Sequence, residues 1–566
     1  MRHIVSVLAA FTALAATPSL HAAENPSFDK LAERYWNEVL ADSPESATYK
    51  GVHKYDARLT DFAPAAVKKR IAWRHAWRDR FGAVDKKPLS RDEQSDLEAM
   101  RLDNESSIVS YENVREWQRR PRVYTGDAVN AVYLVVKRNF APPAERMASV
   151  IARENAVPAL LAAARQNLRD MPKISIDMAL EELPANIDFL KKDTVAAFAS
   201  VSDAALQKRL AASTATATKS LTEFGEWLKK KLPQAKEDFA IGADAFSKKL
   251  AADEGITEPL DAVLARGEAE LARLRAEFVA TAKKIDPSKP AQEVQASLAS
   301  DHGKPDTLLA DVQAKLAGLR KFLVDKQIVT IPSTVMPTVQ ESPPFMRAFT
   351  LASMDTPGPY ETKATDAFYN VTLPDPKWSA ADVESYMRGG FSRTVTEMVS
   401  IHEVFPGHYV QFLWMPQMRS VTRKNYACSS NAEGWAHYAE QMMIDEGVAG
   451  NDPKQRLAQL QEALLRAARY VVGIRMHTKG MTVPQAIDFF QTRGLQSKKV
   501  AEMESKRGTE DPTYLYYTYG KLEILKLRDD YKKKLGAGYS LRKFHDAFLA
   551  EGAIPLPLVR RALLGE

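Results

Sequence analysis

The chain has 566 residues, 45% of them hydrophobic, and its 78 lysines and arginines against 72 aspartates and glutamates leave a formal charge of +6. That is enough apolar material for one large unit or two lobes, and too little net charge for a nucleic-acid footprint. The single cysteine, Cys428, excludes intramolecular disulfides and any cysteine-rich zinc site.

The first segment, MRHIVSVLAAFTALAATPSLHAA, has a basic start, an apolar run from Ile4 to Ala16 and small residues at Ala22 and Ala23. It reads as a secretory signal peptide over 1–23, too short to span a bilayer, with cleavage near Ala22 or Ala23. No cysteine follows the apolar run, which argues against a lipid anchor. No later stretch has spanning length, so the expected product is a soluble periplasmic or secreted protein.

From Pro26 to about Lys326 the chain reads as helix after helix, punctuated by prolines at 142–143, 184, 233, 287, 290 and 305. Leu260, Leu264, Leu271, Leu274 and Phe278 mark one amphipathic core helix. Short basic runs at 229–231 and 532–534 lie among leucines and read as solvated helix faces. Residues 327–374 change character, with QIVTIPSTVMP, FMRAFTLAS and AFYNVTLPDP rich in Val, Thr, Phe and Tyr, so short strands are expected there. Helical periodicity returns at Ala380. The expected division is 1–23, a helical lobe over 24–326, and a catalytic lobe over 327–566.

The stretch IHEVFPGHYVQ carries the chemistry. The usual zinc-protease pattern is H-E-x-x-H, with both imidazoles on one helix face. Here His408 follows His402 by six residues, and a regular helix would turn the two apart by about 240°. They can meet only if the backbone is irregular. Pro406 cannot donate to the His402 carbonyl, and Gly407 can adopt angles closed to other residues and swing His408 back. Next comes NAEGWAHYAE, whose Glu433, His437 and Glu440 share a helix face. A catalytic zinc takes three His or carboxylate ligands and keeps one position open. A helix returning antiparallel can bring Glu433 to the two histidines. Glu440 reads as a solvated or salt-bridged carboxylate, and Trp435 as core.

HEVFPGH followed by EGWAHYAE resembles the bacterial family called domain of unknown function 885, grouped with the gluzincin metallopeptidases. PESATYKGVHKYDARLTD near the start, and YYTYGKLEILKLR and FHDAFLAEGAIPLPLV near the end, are similar to its outer segments. The resemblance implies a mostly α, large helical two-lobed metallopeptidase-like fold with a small β-sheet beside the active-site helix. It also implies one zinc ion on His402, His408 and Glu433, with Glu403 as general base. His437 stands where many relatives have an acid that orients a ligand imidazole, so it is expected as that partner or as a substitute ligand. Tyr517, three residues before Gly520, is favoured over Tyr519 for holding an oxyanion. His477 reads equally as a structural histidine or a catalytic group at the substrate, and Arg528 as a base for a substrate carboxylate. Tyr369 and Asn370, on a strand expected at a sheet edge, would bind an extended peptide. The resulting expectation is an exported zinc hydrolase, a peptidase for short peptides, with a helical cover excluding folded proteins. The alternatives are a zinc hydrolase of another amide or ester, and a peptide-binding protein without catalysis.

Overall fold

A computed structural model describes residues 26–343, 346–347, 350–418 and 420–566. The expected signal peptide lies outside these residues. The first half is dominated by helices, among them α1 (Pro26–Asp42), α2 (Pro64–Gly82), α3 (Arg91–Val109), α4 (Arg122–Val136), α5 (Pro143–Asn167), α6 (Ala204–Lys231), α7 (Leu260–Ile285) and α8 (Leu308–Asp325), with further helices and turns between. Local chemistry sets many of the starts. Ser90 and Glu93 form a reciprocal capping box at α3, and Pro143 lies in the first turn of α5, where its missing N–H costs nothing.

Three short strands follow, β1 (Thr338–Glu341), β2 (Ala352–Asp355) and β3 (Phe368–Val371). They form one sheet in the order β1-β3-β2, with β1 parallel and β2 antiparallel to β3. This corrects the expected strand edge. Tyr369 and Asn370 lie on the central strand and are both buried. The Asn370 amide accepts from Gln340 at 2.9 Å and donates to Ser353 at 3.4 Å, tying it to both neighbouring strands. Pro374, whose missing N–H would suit an edge strand, lies beyond the end of β3 and restricts no rung of its ladder.

The second helical stretch contains α9 (Arg393–Glu403), α10 (His408–Trp414), α11 (Ser429–Asp445), α12 (Pro453–Thr478), α13 (Lys498–Glu510) and α14 (Tyr516–Leu535). Hydrophobic packing crosses residue 326. One core unites α1 and α3 with α8, the sheet, α9 and α11, while α7 packs its leucines on α12. A separate core joins α4, α5 and α6. No helix among the described residues is long and apolar enough to cross a membrane.

α11 and α14 cross at two glycines. A Cβ on Gly434 would lie 2.6 Å from the Gly520 Cα, and one on Gly520 would lie 1.9 Å from the Ser430 carbonyl oxygen. Backbone therefore rests on backbone, bringing Glu433 of α11 beside Tyr517 of α14.

Candidate metal centre

The helix carrying His402 stops where Pro406 requires it to. Ser392 caps its start by accepting from the Val395 N–H, and its last residue is Glu403. The Gly407 N–H reaches back to the Ile401 carbonyl at 3.0 Å, and a new helix begins at His408. The expected break is present, for a different reason at Gly407. Its φ is −63°, and space is what demands glycine: a Cβ would sit 1.6 Å from the His402 carbonyl oxygen. Trp435, buried in the core, donates its indole N–H to the Pro406 carbonyl at 2.9 Å and pins the break to α11.

The break turns the two imidazoles onto one point. Their rings are perpendicular, with centroids 4.9 Å apart. His402 Nε2 and His408 Nε2 each lie 3.3 Å from Glu433 Oε2. One ligand atom from each of the three residues falls within 4.8 Å of the others, the one such group among the described residues. Glu433 Oε2 is buried and receives no hydrogen bond, which is costly for a carboxylate unless a cation faces it. Two imidazole nitrogens, one orphaned carboxylate oxygen and no thiolate make a donor set that fits zinc.

The other face of His402 is held as well. Its Nδ1 lies 2.7 Å from Glu440 Oε1, so Nδ1–H donates to the carboxylate and Nε2 is left to face Glu433. Burial and the Arg466 charge press the His402 pKa down, but the facing Glu433 carboxylate and the hydrogen bond to Glu440 carry it up to about 9. Glu440 is thus the acid that orients this imidazole, the task expected of His437. His437 stands behind it, Nδ1 3.2 Å from Glu440 Oε2, and burial drops its pKa to about 3, leaving it neutral. It contributes no atom to the ligating group. Arg466 of α12 closes the arrangement, Nη2 at 3.2 Å from Glu440 Oε1 and Nη1 at 2.8 Å from Glu462.

Glu403 accepts from the Met354 backbone N–H of β2. Burial raises its pKa, against the lowering pull of His408 and His402. The position on β2 has a simple origin. Thr372 N–H bonds to the Leu351 carbonyl at 2.9 Å, and bonded pairs recur every second residue in an antiparallel ladder. Ser353 and Asp355 therefore bond inward to β3, while Ala352 and Met354 present their backbone groups outward, toward Glu403. The sheet edge beside the site is β2.

Tyr517 completes the cluster. Its ring centroid is 6.4 Å from that of His402. Burial and the nearby Glu433 charge raise its pKa, keeping the phenol protonated.

Residues 44–563 match the family described as Bacterial protein of unknown function (DUF885). The chain belongs to that family. No curated protein matches it. Among solved structures, a candidate lipoprotein of unknown function from Shewanella oneidensis is 26% identical, covers 96% of this chain and 100% of its own, and superposes with a TM-score of 0.78. A candidate lipoprotein from Colwellia psychrerythraea, 18% identical over 95% and 98% of the two chains, shares the fold with a TM-score of 0.75.

Three other expected site residues of this DUF885 member stand elsewhere. His477, at the far end of α12, puts Nε2 2.7 Å from the Gly508 carbonyl oxygen and packs edge-on against Phe239. It lies eleven residues beyond Arg466, about 16 Å along the helix, and is a buried structural histidine. Tyr519 donates to Glu258 at 3.2 Å with Arg266 over its ring, two residues and so just over half a turn from Tyr517. Arg528, three turns down α14, lies over Tyr438 and beside Asp529. The sequence reading missed the arginines. Arg466, Arg469 and Arg507 surround the Tyr517 ring, their guanidinium carbons 5.6, 5.0 and 5.8 Å from its centroid. The four-residue step from 462 to 466 and the three-residue step to 469 offered a faint helical signal of one charged face.

Proposed function

We propose that this protein is an exported zinc-dependent hydrolase that cleaves short peptides. The observation that carries the reading is the convergence of His402, His408 and Glu433 with Glu403 beside them and Glu440 behind His402. When bound, zinc supplies a Lewis acid that lowers the pKa of water and polarises a carbonyl.

The chain's own groups do the rest. Glu403, with its pKa raised by burial, takes a proton from the attacking water and returns it to the departing amine. Tyr517 donates its hydroxyl proton to the carbonyl oxygen as negative charge builds there. The outward backbone groups of β2 that Glu403 and Thr350 leave free offer an extended peptide main-chain hydrogen bonds that ignore side-chain identity. The segment just past α4 closes over the end of this strand. Lys137 and Arg138, just past α4, each lie 2.8 Å from Asp355. That closure favours short flexible peptides over folded proteins. Export rests on segment 1–23 and on likeness to proteins described as candidate lipoproteins.

The test is metal content of the purified protein together with hydrolysis of a mixed peptide library with and without chelator. One equivalent of zinc and chelator-sensitive cleavage are expected. Cleavage that survives full metal removal would overturn the mechanism, and zinc without cleavage of any peptide would overturn the substrate class.

A further inference from the structure

The arginines around Tyr517 are not equivalent. Arg466 is committed to Glu440 and Glu462. Arg469 grips both oxygens of Glu504 at 2.6 and 2.7 Å. Arg122 bridges Glu182 and Glu510. Arg507 differs. Its hydrogen bonds all leave from Nη2, to Asp511 Oδ2 at 3.2 Å, Tyr516 OH at 3.3 Å and Tyr517 OH at 3.2 Å. Nε and Nη1 make none among the described residues, and neither is buried without a partner. The side chain is 36% exposed, against 9% and 10% for Arg466 and Arg469.

Arg507 therefore keeps two unpaired donor nitrogens open to solvent, on different edges of the guanidinium, set one tyrosine side chain away from the His402–Glu433 cluster. A guanidinium donates a charge-assisted hydrogen bond to a carboxylate from either position. We propose that Arg507 is the specificity-determining residue of the site and binds a substrate carboxylate close to the cleaved bond. The proposal rests on the peptidase reading. It also replaces Arg528, which lies over Tyr438, as the carboxylate partner. Two sources share the chemistry, a C-terminal carboxylate and the side chain of an acidic residue. Asp511 anchors the guanidinium, holding Nη2 and accepting from Tyr516 OH at 2.8 Å.

The test separates binding from turnover. Zinc-loaded Glu403→Gln protein is titrated by calorimetry with three matched blocked peptides: one with a free C-terminus, its C-terminal amide, and an amide bearing an internal glutamate. The free acid is expected to bind about tenfold more tightly than the plain amide, as a charge-assisted hydrogen bond should. Arg507→Gln should erase the difference. Arg507→Lys, which keeps the charge but moves the donor, should leave part of it and guards against a folding defect. A gain carried by the internal glutamate supports the proposal and assigns the carboxylate to a side chain. Equal binding of all three peptides, or a preference that persists in Arg507→Gln, overturns it. Absence of hydrolysis by the wild-type chain would instead count against the peptidase reading, since the binding comparison needs no turnover.

Discussion

Glu403 is held by a strand and Glu440 by two histidines, so losing either has a different result. Glu403→Gln removes the proton acceptor and no ligand atom. Zinc content is expected to stay at the wild-type level while kcat falls about 10²–10⁴-fold, read by metal analysis beside a peptide assay. Glu440→Gln keeps the shape but weakens the grip on His402 Nδ1, and zinc affinity should fall about 10–100-fold in a competition titration. Unchanged affinity would show that Arg466 and His437 suffice to orient the ring. Tyr517→Phe should keep the zinc and lower kcat about 10²–10³-fold, as loss of one oxyanion donor does. At this scale the sequence was legible where spacing carries chemistry. His402, Glu403, His408 and Glu433 meet because the chain breaks at Pro406–Gly407, the irregularity that the six-residue spacing demanded. His477, Tyr519 and Arg528 were misplaced because a residue's helix face does not say which neighbour that face meets.

Between α9 and α10 the chain needs a break, and the break needs glycine. Gly407→Ala would drive a methyl group into the His402 carbonyl, so the helix end must shift and carry an imidazole with it. We expect a loss of at least about 1–3 kcal/mol in urea unfolding, the range for inserting a methylene into a packed site, together with weaker zinc binding. Wild-type stability and affinity in Gly407→Ala would mean that the turn has room the geometry does not show. The helices and the position of the small sheet could be read from periodicity, and the irregular turn from Pro406. Strand order could not. AFYNVTLP alternates as an edge strand can, but the strand that covers its second side, Ala352–Asp355, comes from a short segment whose own pattern is too brief to be assigned a neighbour. Order in a sheet is fixed by non-local pairing, which a single strand's sequence does not record.

Across the whole molecule, the segment after β2 is fastened to the first helices by His53. Its Nδ1 lies 2.9 Å from Asp56 and its Nε2 2.9 Å from Glu361, and its ring stacks on Phe140 at 3.7 Å. Burial lowers its pKa, but the two carboxylates outweigh this and raise it above the ordinary histidine value. A raised folded value has one sign: the stabilisation is complete below the unfolded pKa of about 6.5 and is lost as pH rises through the higher folded value. Thermal unfolding across pH 5–9 should show this decline, and His53→Gln should flatten it. An unchanged slope in the variant would assign the pH dependence to other groups. Export is also tested on the intact protein: expressed with its own leader, the mature chain should begin near Glu24 by mass, and a product starting at Met1 would remove the compartment argument.

The glycine crossing of α11 and α14 has a mechanical consequence. Side chains that separate two helices can change rotamer, and the spacing between the helices then has several settings. Gly434 and Gly520 allow none, because one peptide backbone rests directly on another. The carboxylate of residue 433 and the phenol of residue 517 thus ride on a single stiff joint, and a vibration or partial opening that displaces one displaces both. Heat or denaturant should therefore find no intermediate in which the cation is held while the tyrosine has drifted away; the two parts of the centre are lost in one event.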